Sequence, residues 1–386
     1  MGGVTQSMLG DWIFCRERAR VKYIEGLRSH NTFNHRIEYG SMWHLLEECH
    51  ASPEHEGRDG KVELRDYCKE LCQQYPTQQT EIQKWYNVVL VQFPIYAEWW
   101  AKHPDVVDRT PLLQEHVFKV PYKLPSGRTV WLRGKFDSVD LVGKRDKAGI
   151  WLQENKSKSD IDQAQLQRQL LFDMQTMLYL VALTEMDWDA DRGKDGASVA
   201  NGGFLASKGG VAVRSMIGGK QKCTVYPVRG VRYNVIRRPL SGGTGSIVRH
   251  KPSKKNPAGE TEKEYYARLG TIIKESHGPS FGLPEGQHHF FARWKVDVTP
   301  TDIERFKKRF LDPVLSQLCD WYECVTSCSG DPFEFCNKHR GLHFQFPFGT
   351  YNPLTDGGGS TDLDEYINSG NSAGLTKVNV LFSELK

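Results

Sequence analysis

Apolar residues return every three or four positions from residue 6 to about 72, around Met8, Trp12 and Cys15 and again around Trp43, Leu46 and Cys49. That period predicts a mainly helical N-terminal region. A second helical stretch, 81–100, carries Trp85, Tyr86, Phe93, Tyr96, Trp99 and Trp100, which read as core packing. Pro94 inside it is expected to break or kink the helix. After Pro111 the period falls to two, and 116–124, 129–142 and 149–157 read as three strands joined by turns at 125–127 and 143–148. Helical spacing then returns over 161–183 as one long helix, with Leu171, Met174, Leu178 and Val181 as the stripe facing the sheet.

The second half is less regular. Strands are expected at 203–206, 223–228, 233–238 and 289–298 between glycine-rich stretches, and a helix from Pro300 to about Tyr322 capped by Thr299. From residue 346 onward a loop and a weakly ordered tail are expected.

Composition narrows the class. With 386 residues, 39% apolar and 25% charged, the chain reads as an ordinary soluble globular protein. It has no run of about 18 apolar residues to span a bilayer. The first twenty residues lack the apolar stretch of a signal peptide, so a cytoplasmic protein is expected. Nine irregularly spaced cysteines argue for free thiols or a metal site over a disulfide framework. The net charge is only +4, but from Gly196 to Gly259 there is no Asp or Glu, and Arg237, Arg238, Lys251, Lys254 and Lys255 stand among the basic residues there. Such a stretch suits a polyphosphate partner, and equally a solvated basic loop offset by acidic residues elsewhere.

Chemistry concentrates on the strand meander. Asp137 shares a strand face with Arg133 and Lys135, and Glu154 and Lys156, two apart, leave the same face of the next strand. Two carboxylates converging there make an oxygen-ligand site for Mg²⁺. The ammonium of Lys156 can orient or help deprotonate an attacking water and offset charge on a phosphate. As a bare spacing the set reads first as a solvated, salt-bridged hairpin.

The ordered set Gly40-Ser41-Met42-Trp43-His44, Gly134-Lys135-Phe136-Asp137, Glu154-Asn155-Lys156 and Gln175-Thr176-Met177-Leu178-Tyr179 resembles the RecB-type branch of the PD-(D/E)XK nucleases, including the CRISPR-associated exonuclease and phage-borne relatives. The opening from Ser7 to Arg16 resembles that family's N-terminal helix, and 233–239, 264–269 and 290–294 resemble the phage-type relatives.

The resemblance implies a restriction-endonuclease-like α/β (α+β) core, a central mixed sheet flanked by helices, with a helical N-terminal region and C-terminal elaborations. On it, 1–190 is the nuclease core with a helical insertion at about 50–110. Residues 191–345 complete the fold with the basic segment 196–259, and 346–386 is the tail. It further implies His44, Asp137, Glu154 and the Asn155 carbonyl as ligands of Mg²⁺ or Mn²⁺, Lys156 as the catalytic lysine, and Gln175 and Tyr179 as the motif that positions the site. Glu115 stays open between a family glutamate and a solvated residue.

The implied partner is DNA, with no membrane, and the basic stretch offers Arg237, Arg238, Lys251, Lys254 and Lys255 as its expected contacts. A homo-oligomer or replication and recombination proteins stand as further partners. An exonuclease, phage-encoded, is the leading expectation, with a structure- or sequence-specific endonuclease and a DNA-binding accessory protein as alternatives. Many RecB-type nucleases also hold a [4Fe–4S] cluster on one N-terminal and three C-terminal cysteines. Cys15 sits at the first place, but Cys319, Cys324, Cys328 and Cys336 do not match the rest, so free or buried thiols are expected instead.

Overall fold

The computed structural model describes residues 3–14, 16–24, 26–29, 33–51, 58–144, 147–186, 204–207, 210–217, 220–240, 246–253, 257–327 and 375–377. The chain opens with α1 (Gln6–Phe14) and the short α2 (Arg16–Ala19), continued by a π-turn over Arg20–Ile24 and by β1 (Leu27–Ser29). Three helices follow, α3 (His35–Ala51), α4 (Gly60–Gln74) and α5 (Gln79–Trp100), then the short α6 (Pro104–Val107). The meander is β2 (Arg109–Lys123), β3 (Thr129–Val142) and β4 (Gly149–Lys158), followed by α7 (Gln163–Leu170) and α8 (Met174–Glu185). Next come β5 (Phe204–Ser207), β6 (Gly210–Ile217), β7 (Lys220–Tyr226), β8 (Val228–Arg237), α9 (Glu262–Glu275) and β9 (Phe291–Asp297). The last elements are α10 (Pro300–Phe306), α11 (Asp312–Ser327) and β10 (Leu375–Lys377).

The central sheet has the order β2-β3-β4-β8-β9. Its β4–β8 pair is parallel and the other pairs are antiparallel, the mixed sheet of a restriction-endonuclease-like α/β core. Strand β4 lies at its centre, and from Gly149 to Asn155 every residue is buried, because helices cover both faces. One apolar cluster joins the sheet to α1, α8 and α11 through Trp12, Leu180 and Trp321. The other joins α3, α4, α5 and α9 through Trp43, Trp85, Tyr96 and Ile273. Apart from the central sheet, β5-β6-β7 form a three-stranded antiparallel sheet, and β1 pairs with β10.

Three expectations are corrected. The helix over Glu81 to Trp100 runs unbroken through Pro94, held by the burial of Phe93, Tyr96 and Trp100 on both sides of it. The single helix expected over 161–183 is two, because Phe172 takes a positive φ of 55° between them. Leu171, placed in its apolar stripe, is therefore exposed. The C-terminal helix starts at Pro300 with Thr299 and Asp302 in a reciprocal capping box, as its composition suggested, but passes through a π-turn at Lys307–Leu311. The tail expected from residue 346 lies outside the described residues except for β10. No helix among the described residues is long and apolar enough to cross a membrane.

Candidate metal and active site

The register of β3 on β4 pairs Ser138 with Gln153, which puts Asp137 across from Glu154 one step further along. Helix α3 lies over this end of the sheet and brings His44 down onto it. Its Gly40 stands 3.8 Å, measured from where a Cβ would be, from Ser157 Oγ. Gly134 on β3 is needed for packing, since a Cβ there would lie 2.6 Å from the Phe118 ring and 2.8 Å from that of Tyr179. These three rings interlock, with Tyr179 edge-on to Phe118 at 5.3 Å and to Phe136 at 5.7 Å. The motif Gly134-Lys135-Phe136-Asp137 thus carries its own packing core beneath the carboxylate.

His44 Nδ1 lies 2.8 Å from Glu115 Oε1 and 3.6 Å from Asp137 Oδ1. One ligand atom from each of His44, Glu115 and Asp137 falls within 4.8 Å of the others, a group able to hold a metal ion. Glu115, left open by sequence reasoning, is inside β2 and largely buried, and Lys135 Nζ donates to its other oxygen at 2.6 Å. Its backbone sits at φ +45°, a left-handed conformation rare for a residue with a side chain and costing about 1–3 kcal/mol. Such strain gathers where a side chain must be aimed, and no composition or period announces it.

Glu154 and Lys156 form a closed set with Gln175. Lys156 Nζ donates to Glu154 Oε1 and to Gln175 Oε1, both at 2.8 Å, while Gln175 Nε2 donates to Glu154 Oε1 at 2.7 Å. One Glu154 oxygen therefore has two donors. The other, Oε2, is buried without a hydrogen-bond partner among the described residues. An uncompensated buried carboxylate oxygen is costly unless a cation takes it up, so the donor set fits a divalent ion. Asn155 gives its N–H to Asp137 Oδ2 at 2.7 Å, and its side-chain oxygen accepts from Asn234 at 2.8 Å.

The electrostatics agree. Burial and the neighbouring charge of Glu154 push the Asp137 carboxyl up to about 7. Burial acts to lower the His44 pKa, but Asp137 and Glu115 outweigh it and raise it to about 9. Lys156 is likewise lowered by burial and more strongly raised by Glu154, so its ammonium stays charged above the ordinary lysine range. A cleft of about 760 Å³ opens over the group, lined by His44, Glu115, Asp137, Lys135, Gln175 and Tyr179.

The structure thus brings together His44, Asp137, Glu154, Asn155, Lys156, Gln175 and Tyr179. The basic residues named as DNA contacts are mixed in character. Arg237 and Arg238 are buried, Arg237 Nε donating to the Ser159 carbonyl at 3.2 Å and Arg238 to that of Ser157 at 2.9 Å. Lys251 is exposed, and Lys254 and Lys255 lie outside the described residues. Of the cysteines considered for a cluster, Cys15, Cys328 and Cys336 lie outside them too.

Among families of known proteins, the model of the PD-(D/E)XK nuclease superfamily matches residues 4–277. No curated protein gives a significant match to the chain.

Proposed function

The chain belongs to the PD-(D/E)XK nuclease superfamily, and from that premise we propose that it is a Mg²⁺- or Mn²⁺-dependent deoxyribonuclease, an exonuclease of the RecB type. The observation that supports the metal dependence best is the His44, Glu115 and Asp137 group, with the buried Oε2 of Glu154 left without a hydrogen-bond partner on the neighbouring strand. The exonuclease assignment, and a phage origin with it, rests on the likeness of the four motifs, from Gly40 through Tyr179, to RecB-type enzymes.

His44, Asp137 and Glu154 would hold the cation, with Glu115 beside them and the Asn155 carbonyl as a further ligand. A divalent ion there supplies an activated water and counter-charge for a phosphodiester. The chain's own residues do the rest. Lys156, paired with Glu154, orients the nucleophile or helps deprotonate it and offsets charge on the phosphate. Gln175, with its amide bridging Lys156 and Glu154, positions both. Tyr179 closes the floor of the cleft.

The direct test is digestion of end-labelled linear and circular DNA, single- and double-stranded, with Mg²⁺, Mn²⁺ or chelator. Cleavage of linear DNA with either metal, none in chelator and intact circles are expected. Cut circles would replace the exonuclease reading with an endonuclease, and binding without any cleavage would leave a DNA-binding protein.

A further inference from the structure

The chain passes from α7 to α8 through Leu171, Phe172 and Asp173, and this turn shows two large apolar side chains to solvent. Leu171 is 54% and Phe172 47% exposed. Neither joins the apolar cluster that takes in Leu170 and Met177 on either side of them. Phe172 also sits at φ +55°, a conformation glycine would adopt without strain. An exposed aromatic ring in strained backbone is doubly unfavourable to the fold. The turn is nonetheless fixed firmly. Asp173 caps α8 through Thr176 N–H at 3.4 Å, and the Leu170 carbonyl accepts from Tyr233 Oη at 2.8 Å. The same α8 carries Gln175 into the active site, three residues after Phe172 in the chain.

Charge beside the turn points the same way. Lys158 leaves β4 on the face of Glu154 and Lys156, one strand repeat of about 6.6 Å beyond Lys156. That is close to the separation of neighbouring phosphates along an extended nucleic acid strand. Lys158 forms no ion pair among the described residues, whereas Lys156 is held by Glu154 at 2.8 Å. Burial and the like charges of Lys156 and Arg238 hold the Lys158 ammonium below the ordinary lysine range, with Asp173 offsetting them in part. This corner of the sheet sets Lys156 and Lys158 beside Asp173, in the turn that exposes Phe172.

We propose that the corner is the subsite for the nucleotide next to the scissile phosphate, where Lys158 pairs with its phosphate and Phe172 stacks on its base. The proposal rests on the nuclease reading of the adjoining site. A ring offered this way takes any base, because every base has a π-face, but it takes only an unpaired one. The substrate strand therefore enters single, either as a single-stranded chain or as a frayed duplex end.

The test reads binding without turnover. The full chain, with Ca²⁺ in place of the cleaving cation, is mixed with single-stranded oligonucleotides carrying 2-aminopurine at successive positions. The wild-type protein should quench fluorescence at one position. Phe172→Ala should lose that quenching and bind about tenfold more weakly, and Phe172→Tyr should restore both. Lys158→Ala should weaken binding and reduce its salt slope by about one phosphate contact. Phe172→Gly relieves the backbone strain, so it should melt at or above the wild-type temperature while binding as poorly as Phe172→Ala, a combination that a structural role would not produce. Unchanged affinity and quenching in Phe172→Ala would overturn the subsite, as would a wild-type protein that binds no oligonucleotide. A protein that binds and stacks but cuts nothing in Mg²⁺ or Mn²⁺ would keep the subsite and remove the nuclease reading, so the two fail separately.

Discussion

Strand β3 buries two carboxylates three residues apart, Asp137 and Asp140, in opposite circumstances. Asp140 has no exposure at all, yet Ser138 Oγ donates to it at 2.6 Å, Arg109 Nε stands 2.9 Å away, and Arg232 pairs with it directly. Arg232 in turn donates to the Asp105 carbonyl at 2.9 Å and to Gln153 at 2.5 Å. Asp137 receives one main-chain N–H and has His44 3.6 Å away, yet burial and the neighbouring carboxylate of Glu154 drive its pKa up to about 7. A buried acid whose neighbours meet its needs ties strands together. One whose neighbours leave it in deficit is held ready for something the protein does not itself supply.

The comparison breaks most visibly on activity. Asp137→Ala and Lys156→Ala should each lower cleavage by at least about 10³-fold, while Asp137→Asn, which removes a carboxylate that burial and Glu154 disfavour, should melt at or above wild type in chelator. Wild-type rates in either alanine variant would break the assignment. On the other side, Asp140→Ala strands the buried guanidiniums of Arg109 and Arg232 and should cost about 3–5 kcal/mol in denaturant unfolding, a loss that metal does not repair. A smaller effect is expected from Gln175→Ala, a fall in kcat of about 10- to 100-fold with KM nearly unchanged, since Gln175 acts through Lys156 and Glu154.

The last prediction concerns pH. Asp137, raised from an ordinary 3.8 to about 7, contributes stability to the metal-free protein that is present below about 4 and lost as pH rises through 7. His44, raised from 6.5 to about 9, contributes stability that is lost as pH rises through 9. A cation must displace both protons. The gain in melting temperature on adding Mn²⁺ should therefore grow from pH 6 to pH 9. A gain that shrinks over that range would sink the ligand assignment.

Much of this was legible in the chain. The meander shows in its period of two, and His44, Asp137, Glu154, Lys156, Gln175 and Tyr179, named from their order along the chain, are brought together by the fold. What was not legible depends on single backbone angles or on distant partners. Apolar residues continue in helical register through Leu171, so the break at Phe172 is invisible to periodicity, and only the structure shows Asp173 capping a new helix at Met174. Glu115 gained its place through a left-handed kink inside a strand. The basic stretch from Gly196 to Gly259 suggested one cationic surface, but Arg232, Arg237 and Arg238 are buried in it, bound to Asp140 and to main-chain carbonyls. Composition counts charges without saying which face inward.

The parallel partner of β4 has a consequence in time. Glu154 lies against Tyr233 and Lys156 against Val235, and Asn155 is held by Asn234, so the strand bearing the chemistry is set by residues about 80 positions later in the chain. During synthesis at about 5–20 residues per second, β4 leaves the ribosome several seconds before β8 exists. Until then the meander has an open edge and its carboxylates have no fixed geometry. A nascent chain would thus pass through translation unable to cut, and competence would arrive late and all at once when the second half closes the sheet.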